Sequence, residues 1–154
     1  LAGKYIAMIS FALVTVFFSA IVSIAISVSL AGTKGVSTDQ WYTSSALSLF
    51  GSTFGNVFLS VISYGTVGMT LGLLLRSPIS SISIALAWIL VIENILSATV
   101  NGISKWMPGQ LMGAIPVQFG VDFSYSWALA GTAIYLVIFS ITAATLFKRR
   151  DVVN

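Results

Sequence analysis

Residues 79–100 read ISSISIALAWILVIENILSATV, an apolar run with one ionisable side chain, Glu93. About 20 predominantly apolar residues carry a helix across the hydrocarbon core of a bilayer. The run is continuous rather than alternating, which separates a spanning helix from a barrel strand. Three more segments share this character, over residues 5–30, 47–75 and 125–147. The fold class expected is therefore an all-α membrane protein, a polytopic bundle of four transmembrane helices. A polar, Gly-containing stretch over residues 31–46 joins the first two spans. Arg76-Ser77-Pro78 turns the second span into the third, and Pro78, which has no N–H, suits the first turn of a new helix.

Between the third and fourth spans the pattern breaks down. Residues 101–124 are too apolar for an ordinary loop, with Trp106, Met107, Leu111, Met112, Ile115, Val117 and Phe119. They are also too interrupted for a span, with Pro108, Gly109, Gly113 and Pro116. The reading is one or two short helices lying in or dipping into the outer leaflet, a re-entrant segment over about residues 103–120. The alternative is an outer loop covering the bundle.

Composition sets the solvent. Charged residues make up 7% and hydrophobic ones 57% of the 154 residues, and mean hydropathy is +1.01. Soluble domains carry about 25% charged residues to face water. Lipid or another subunit must cover most of this surface. The length fits one transmembrane domain over residues 1–154. The absence of Cys and His removes disulfides, thiol chemistry and the commonest metal ligand. Basic residues form no patch interleaved with aromatics, so nucleic acid is not an expected partner. The chain opens at Leu1 directly before a hydrophobic run and reads as part of a longer protein. Ser29-Leu30-Ala31 resembles a cleavage site, but the uncharged run over residues 5–33 exceeds the roughly 7–15 residues of a signal peptide's apolar region.

Four spans put both ends on one side. With the ends in the cytoplasm, Lys4, Arg76, Lys148, Arg149 and Arg150 are inside, and only Lys34 and Lys105 outside. The positive-inside rule selects this arrangement, with residues 148–154 as a cytoplasmic tail and Arg76, Lys148, Arg149 and Arg150 as anchors on anionic lipid. Trp41, Tyr42, Trp106, Tyr125 and Trp127 then gather near the outer interface, where amphipathic rings anchor helices.

Two features bear on function. At 100° per residue, Gly51, Gly55, Gly65, Gly68 and Gly72 fall within about 140° of the second helix's circumference. Such a face admits a close backbone, either inside the bundle or across a dimer, or lets helices slide. The first span has a similar row, Thr15, Ser19, Ser23 and Ser27. Glu93, followed by Asn94 and preceded by Trp88, is the acid that a span must shelter at an insertion cost on the order of 2.5–3.5 kcal/mol. It either lines a pathway or controls gating, or forms a structural hydrogen bond to a neighbouring helix. Intramembrane enzyme chemistry is not expected, since the His-based motifs and a paired membrane aspartate are missing. Gly32-Thr33-Lys34-Gly35 lacks the spacing of a phosphate loop, so any ATP-driven activity draws on another polypeptide.

The ordered features resemble the permease subunits of bacterial type-2 ABC exporters. Gly68-Met69-Thr70-Leu71-Gly72-Leu73-Leu74-Leu75-Arg76-Ser77 is similar to that family's small-residue span and Arg-Ser turn. The Trp88 to Glu93 stretch followed by Lys105-Trp106-Met107-Pro108-Gly109 resembles its acid-bearing fifth helix and outer segment. Phe147-Lys148-Arg149-Arg150-Asp151-Val152 looks like its basic close. The resemblance implies that the four spans are the third to sixth of six, with a coupling helix preceding Lys4. It also implies a second permease copy or a related permease, membrane lipids around the bundle, and separate ATPase subunits that bind ATP and Mg. No cofactor is expected on this chain, and the location implied is the bacterial cytoplasmic membrane. A non-transporting four-helix scaffold and part of an ion-coupled secondary transporter are the alternatives.

Overall fold

The computed structural model describes residues 2–117 and 122–151, with side chains up to Lys148. Among these residues the protein is all-α, with four helices long and apolar enough to cross a membrane. Helix α1 runs Ala2–Thr33 and α2 Ser44–Leu75, joined through a 3-10 turn at Asp39–Tyr42. The third span, Pro78–Thr99, is composite. It comprises α3 (Pro78–Leu86), a π-helical stretch (Ala87–Ile92) and α4 (Glu93–Thr99). A 3-10 turn at Ser104–Trp106 leads into the short helix α5 (Pro108–Val117), and α6 runs Tyr125–Asp151. The expected re-entrant stretch at 118–120 and the tail at 152–154 lie outside the described residues, as do the side chains of Arg149 and Arg150.

The chain falls into two compact units, one spanning Ala2–Leu59 and the other beginning at Ser60. In the first unit, α1 buries only Ala12, Val16 and Ala31, while Phe11 and Phe18 stay well exposed. For a helix whose solvent is hydrocarbon, an apolar surface all round is the stable arrangement.

In the second unit the α2–α3 turn is built from its three residues. Arg76 takes the left-handed conformation that ends helices, with φ 56°. Ser77 is the N-cap of α3 and accepts from the Ser80 N–H, and Pro78 occupies the first turn. The Ser81 hydroxyl donates to the Ser77 carbonyl at 2.6 Å.

The core sits around the short helix α5. Leu111, Met112, Ala114 and Ile115 of α5 are buried, together with Leu73 of α2 and Ala128 and Ala143 of α6. Gly131 of α6 makes room for it: a Cβ there would stand 2.7 Å from Leu111 Cδ1. Helix α2 meets this core with hydroxyls. Ser60, Ser63, Thr66 and Thr70 are its buried polar residues in this unit, centred roughly 150° around the helix from the glycine face. Thr70 donates to the Phe139 carbonyl of α6 at 3.1 Å. By contrast, a Cβ added at Gly51, Gly55, Gly68 or Gly72 meets nothing within 4 Å. Small polar side chains join these helices because apolar contact alone gives little preference over lipid.

One hydroxyl has a specific task. Pro116 lies inside α5 and has no N–H for the carbonyl four residues back, that of Met112. Ser60 supplies the missing donor at 2.8 Å in a buried position. Ser60→Ala should therefore destabilise the protein by about 1–3 kcal/mol, the cost of a stranded buried acceptor. Pro116→Ala, which returns an N–H to the helix, should recover much of that loss. Thermal unfolding of the two single variants and the double variant in detergent checks this, and strictly additive effects would refute the assignment.

Candidate functional site

A helix starts with N–H groups that have no partner within it. For α5 these can all be accounted for. The Met107 N–H donates to the Ser104 carbonyl at 3.2 Å, and Pro108 has no N–H to satisfy. The Gly109 N–H donates to Glu93 Oε1 at 3.1 Å, and the Gln110 N–H to Glu93 Oε2 at 2.9 Å. Leu111 then begins the regular ladder by donating to the Met107 carbonyl. Glu93 thus caps α5 from another element, with its carboxylate against the positive end of the helix dipole. The side chain is fully buried, at 0% exposure.

A third donor comes from Trp88, whose Nε1 donates to Glu93 Oε1 at 2.8 Å. In a regular α-helix residues five apart point about 140° away from each other. The π-helical stretch removes that divergence by stepping the ladder to five residues, so that the Glu93 N–H donates to the Trp88 carbonyl. Asn94, the next residue, donates to the Ile89 and Leu90 carbonyls at 3.2 and 3.0 Å. Its Oδ1 accepts from Gln110 Nε2 at 3.4 Å. The structure therefore brings together Trp88, Glu93 and Asn94 with Gly109, all singled out in the sequence. It adds Gln110, which residue type alone does not mark.

Gly109 is required by proximity. A Cβ there would stand 2.6 Å from Glu93 Oε2 and 3.0 Å from Ile89 Cγ2. Carbonyls around α5 are clasped from two further helices. Tyr64 of α2 donates to the Gly109 carbonyl at 2.7 Å. From α6, Trp127 Nε1 donates to the Lys105 carbonyl at 2.8 Å, and the Tyr135 hydroxyl to that of Trp106 at 2.7 Å. Trp106 and Trp127 meet edge to face, with ring centroids 5.4 Å apart. Tyr64, Trp127 and Tyr135 take their roles from tertiary placement, and only the positions of Trp127 and Trp106 were expected from the interfacial pattern.

A cavity of about 280 Å³ lies beside this cluster, with Leu71, Ile84, Trp88, Met112 and Phe139 among its walls. It is apolar apart from the backbone around Pro108 and Gly109. Arg76 and Lys148 stand at helix ends and take no part in the Glu93 cluster. Gly65 of α2 is half-buried.

Comparison with protein-family models, curated proteins and solved structures finds no match for this chain.

The carboxylate is used purely as an acceptor by three N–H groups. Glu93→Gln turns one of its oxygens into a donor facing another donor, so the substitution should lower stability by about 1–3 kcal/mol. Gly109→Ala should do so comparably by forcing the carboxylate aside. Because both act on one contact, combining Gly109→Ala with Glu93→Ala should cost clearly less than the sum of the single effects. Thermal unfolding of the set in detergent reads this coupling, and independent effects would show that Glu93 does not cap α5.

Proposed function

We propose that this chain is the membrane-spanning permease subunit of an ATP-binding-cassette exporter in a bacterial cytoplasmic membrane. It lines the substrate pathway together with a second copy or a related permease, and separate ATPase subunits supply the energy. Both chain ends face the cytoplasm in this reading, with Lys4, Arg76, Lys148, Arg149 and Arg150 on that side. The observation that carries the proposal is the short buried helix between the last two spans, tied to the acid of the preceding span. The order of motifs from Gly68 through Glu93 and Pro108 to Arg150 supports it as a resemblance. Irregular backbone at membrane depth is tolerated where protein encloses it or a cavity adjoins it. Transport proteins use such segments at pathway ends. Helix α5 meets both conditions.

The engagement of Glu93 bears on the alternatives. An ion-coupling carboxylate must exchange its ion with water. Glu93 is fully buried and meets three N–H donors. That favours a positioning role, in which Glu93 fixes the helix bordering the pathway.

The test uses the full-length protein with the ATP-binding subunit encoded beside it. Co-purification, and ATP hydrolysis altered by reconstitution with the permease, are the expected results. These 154 residues have no Cys; with any Cys in the rest of the full-length protein replaced, the pair Asn94→Cys and Gln110→Cys can be bridged with a short thiol cross-linker to fix α5 to α4. Cross-linking should block transport while leaving ATPase association intact, and a cleavable linker should restore it on reduction. Failure to associate with any ATP-binding subunit would sink the exporter reading. Full transport by the cross-linked protein would sink the role given to α5.

A further inference from the structure

A groove of about 310 Å³ runs between the segment around Lys105 and Trp106 and the flank of α6. It is distinct from the cavity beside Glu93, and its two sides are tied to each other by hydrogen bonds. Trp127 is tied to the Lys105 carbonyl and Tyr135 to the Trp106 carbonyl, and the two indoles brace each other edge to face. The polar tips of Trp127 and Tyr135 are consumed by these bonds. What remains along the groove is hydrocarbon, with Ile134 and Ile138 well exposed on α6.

Lys105 is among the residues that line the groove and is exposed. Among the described residues it forms no ion pair. An apolar slot with an exposed lysine in its lining is complementary to a hydrocarbon chain joined to an anion. A neutral lipid would leave the ammonium unused. The volume is at the small end of ligand sites, which run roughly 300–1,000 Å³, so it suits part of one chain rather than a large ring system.

We infer that this groove seats one acyl chain of an anionic phospholipid, with the headgroup phosphate on Lys105. The inference goes beyond the transport reading and does not rest on it. The bound lipid would stiffen the junction of the α5 segment with α6, because it lies against both.

Two of the protein's four Trp line the groove, which gives a direct readout. The full chain is placed in phosphatidylcholine vesicles doped with phosphatidylglycerol or phosphatidylcholine carrying brominated acyl chains, and Trp quenching is followed against mole fraction. Brominated phosphatidylglycerol should quench more strongly at equal mole fraction. One basic residue near a membrane surface is worth about 1 kcal/mol, or about fivefold in apparent affinity, and Lys105→Gln should remove that preference. Lys105→Arg should keep it. Ala130→Leu, which narrows the groove from its exposed wall, should weaken quenching by both lipids. Equal quenching by the two lipids, a preference surviving Lys105→Gln, or quenching unchanged by Ala130→Leu, would overturn the site. So would a preference that disappears as self-association rises with protein density, since a second copy would then occupy the groove.

Discussion

A helix that begins among apolar side chains brings N–H groups that water cannot reach, and everything around α5 follows from how these are satisfied. Glu93 meets two of them with one carboxylate, and Ser60 meets the carbonyl that Pro116 strands at the other end. Each unsatisfied group in such surroundings costs on the order of kilocalories. The neighbours are accordingly specific in chemistry as well as shape. Helix α2 contributes a hydroxyl and a phenol, the third span a carboxylate and an indole, and α6 an indole and a phenol. The core of the second unit is a short helix held by its backbone, with the long spans arranged to reach it.

The third span shows what this arrangement demands of local structure. Trp88 and Glu93 cannot share a face of a regular α-helix, yet both must converge on the start of α5. The π-helical stretch Ala87–Ile92 resolves the conflict by adding a residue to one turn. It also leaves carbonyls with altered partners, and Asn94 donates to two of them. The span's irregularity and its acid are therefore one feature. Glu93 is sheltered because the turn before it is widened, and the widened turn is steadied by the side chains that follow it.

Much of this architecture was legible in the sequence. The four spans follow from long apolar runs, the α2–α3 turn from Arg76-Ser77-Pro78, and the interrupted helix from Pro108, Gly109 and Pro116. Glu93 was recognisable as costly, and hence as partnered, from its place in a span. Its partners were not recognisable, because backbone N–H groups leave no mark in composition. The π-helical step was equally hidden, since AWILVI reads as any helical stretch. Helix α2 shows a different limit. Its glycine row stands out because Gly is rare in helix interiors, yet the buried side carries Ser60, Ser63, Thr66 and Thr70. Ser and Thr at helical spacing occur on both faces of α2, and the choice between faces depended on where α5 lies. Gly109 was marked only as a break, although its missing Cβ is what admits the carboxylate.

The same bonds constrain how this part of the molecule can move. Separating α5 from the third span would strip two N–H groups, those of Gly109 and Gln110, from Glu93 and leave the carboxylate without a cationic partner among the described residues. Neither side would find replacements in hydrocarbon. Small displacements are therefore resisted, and two kinds of motion remain. The third span and α5 can tilt together against α2 and α6, where single hydroxyl, phenol and indole bonds to carbonyls are fewer per element and easier to exchange. Alternatively, α5 can come away in one step when water enters and solvates the carboxylate and the helix start together. Packed elements with such contacts switch between discrete arrangements rather than deform gradually. A sheltered acid capping a short helix thus ties any release of that helix to the entry of water.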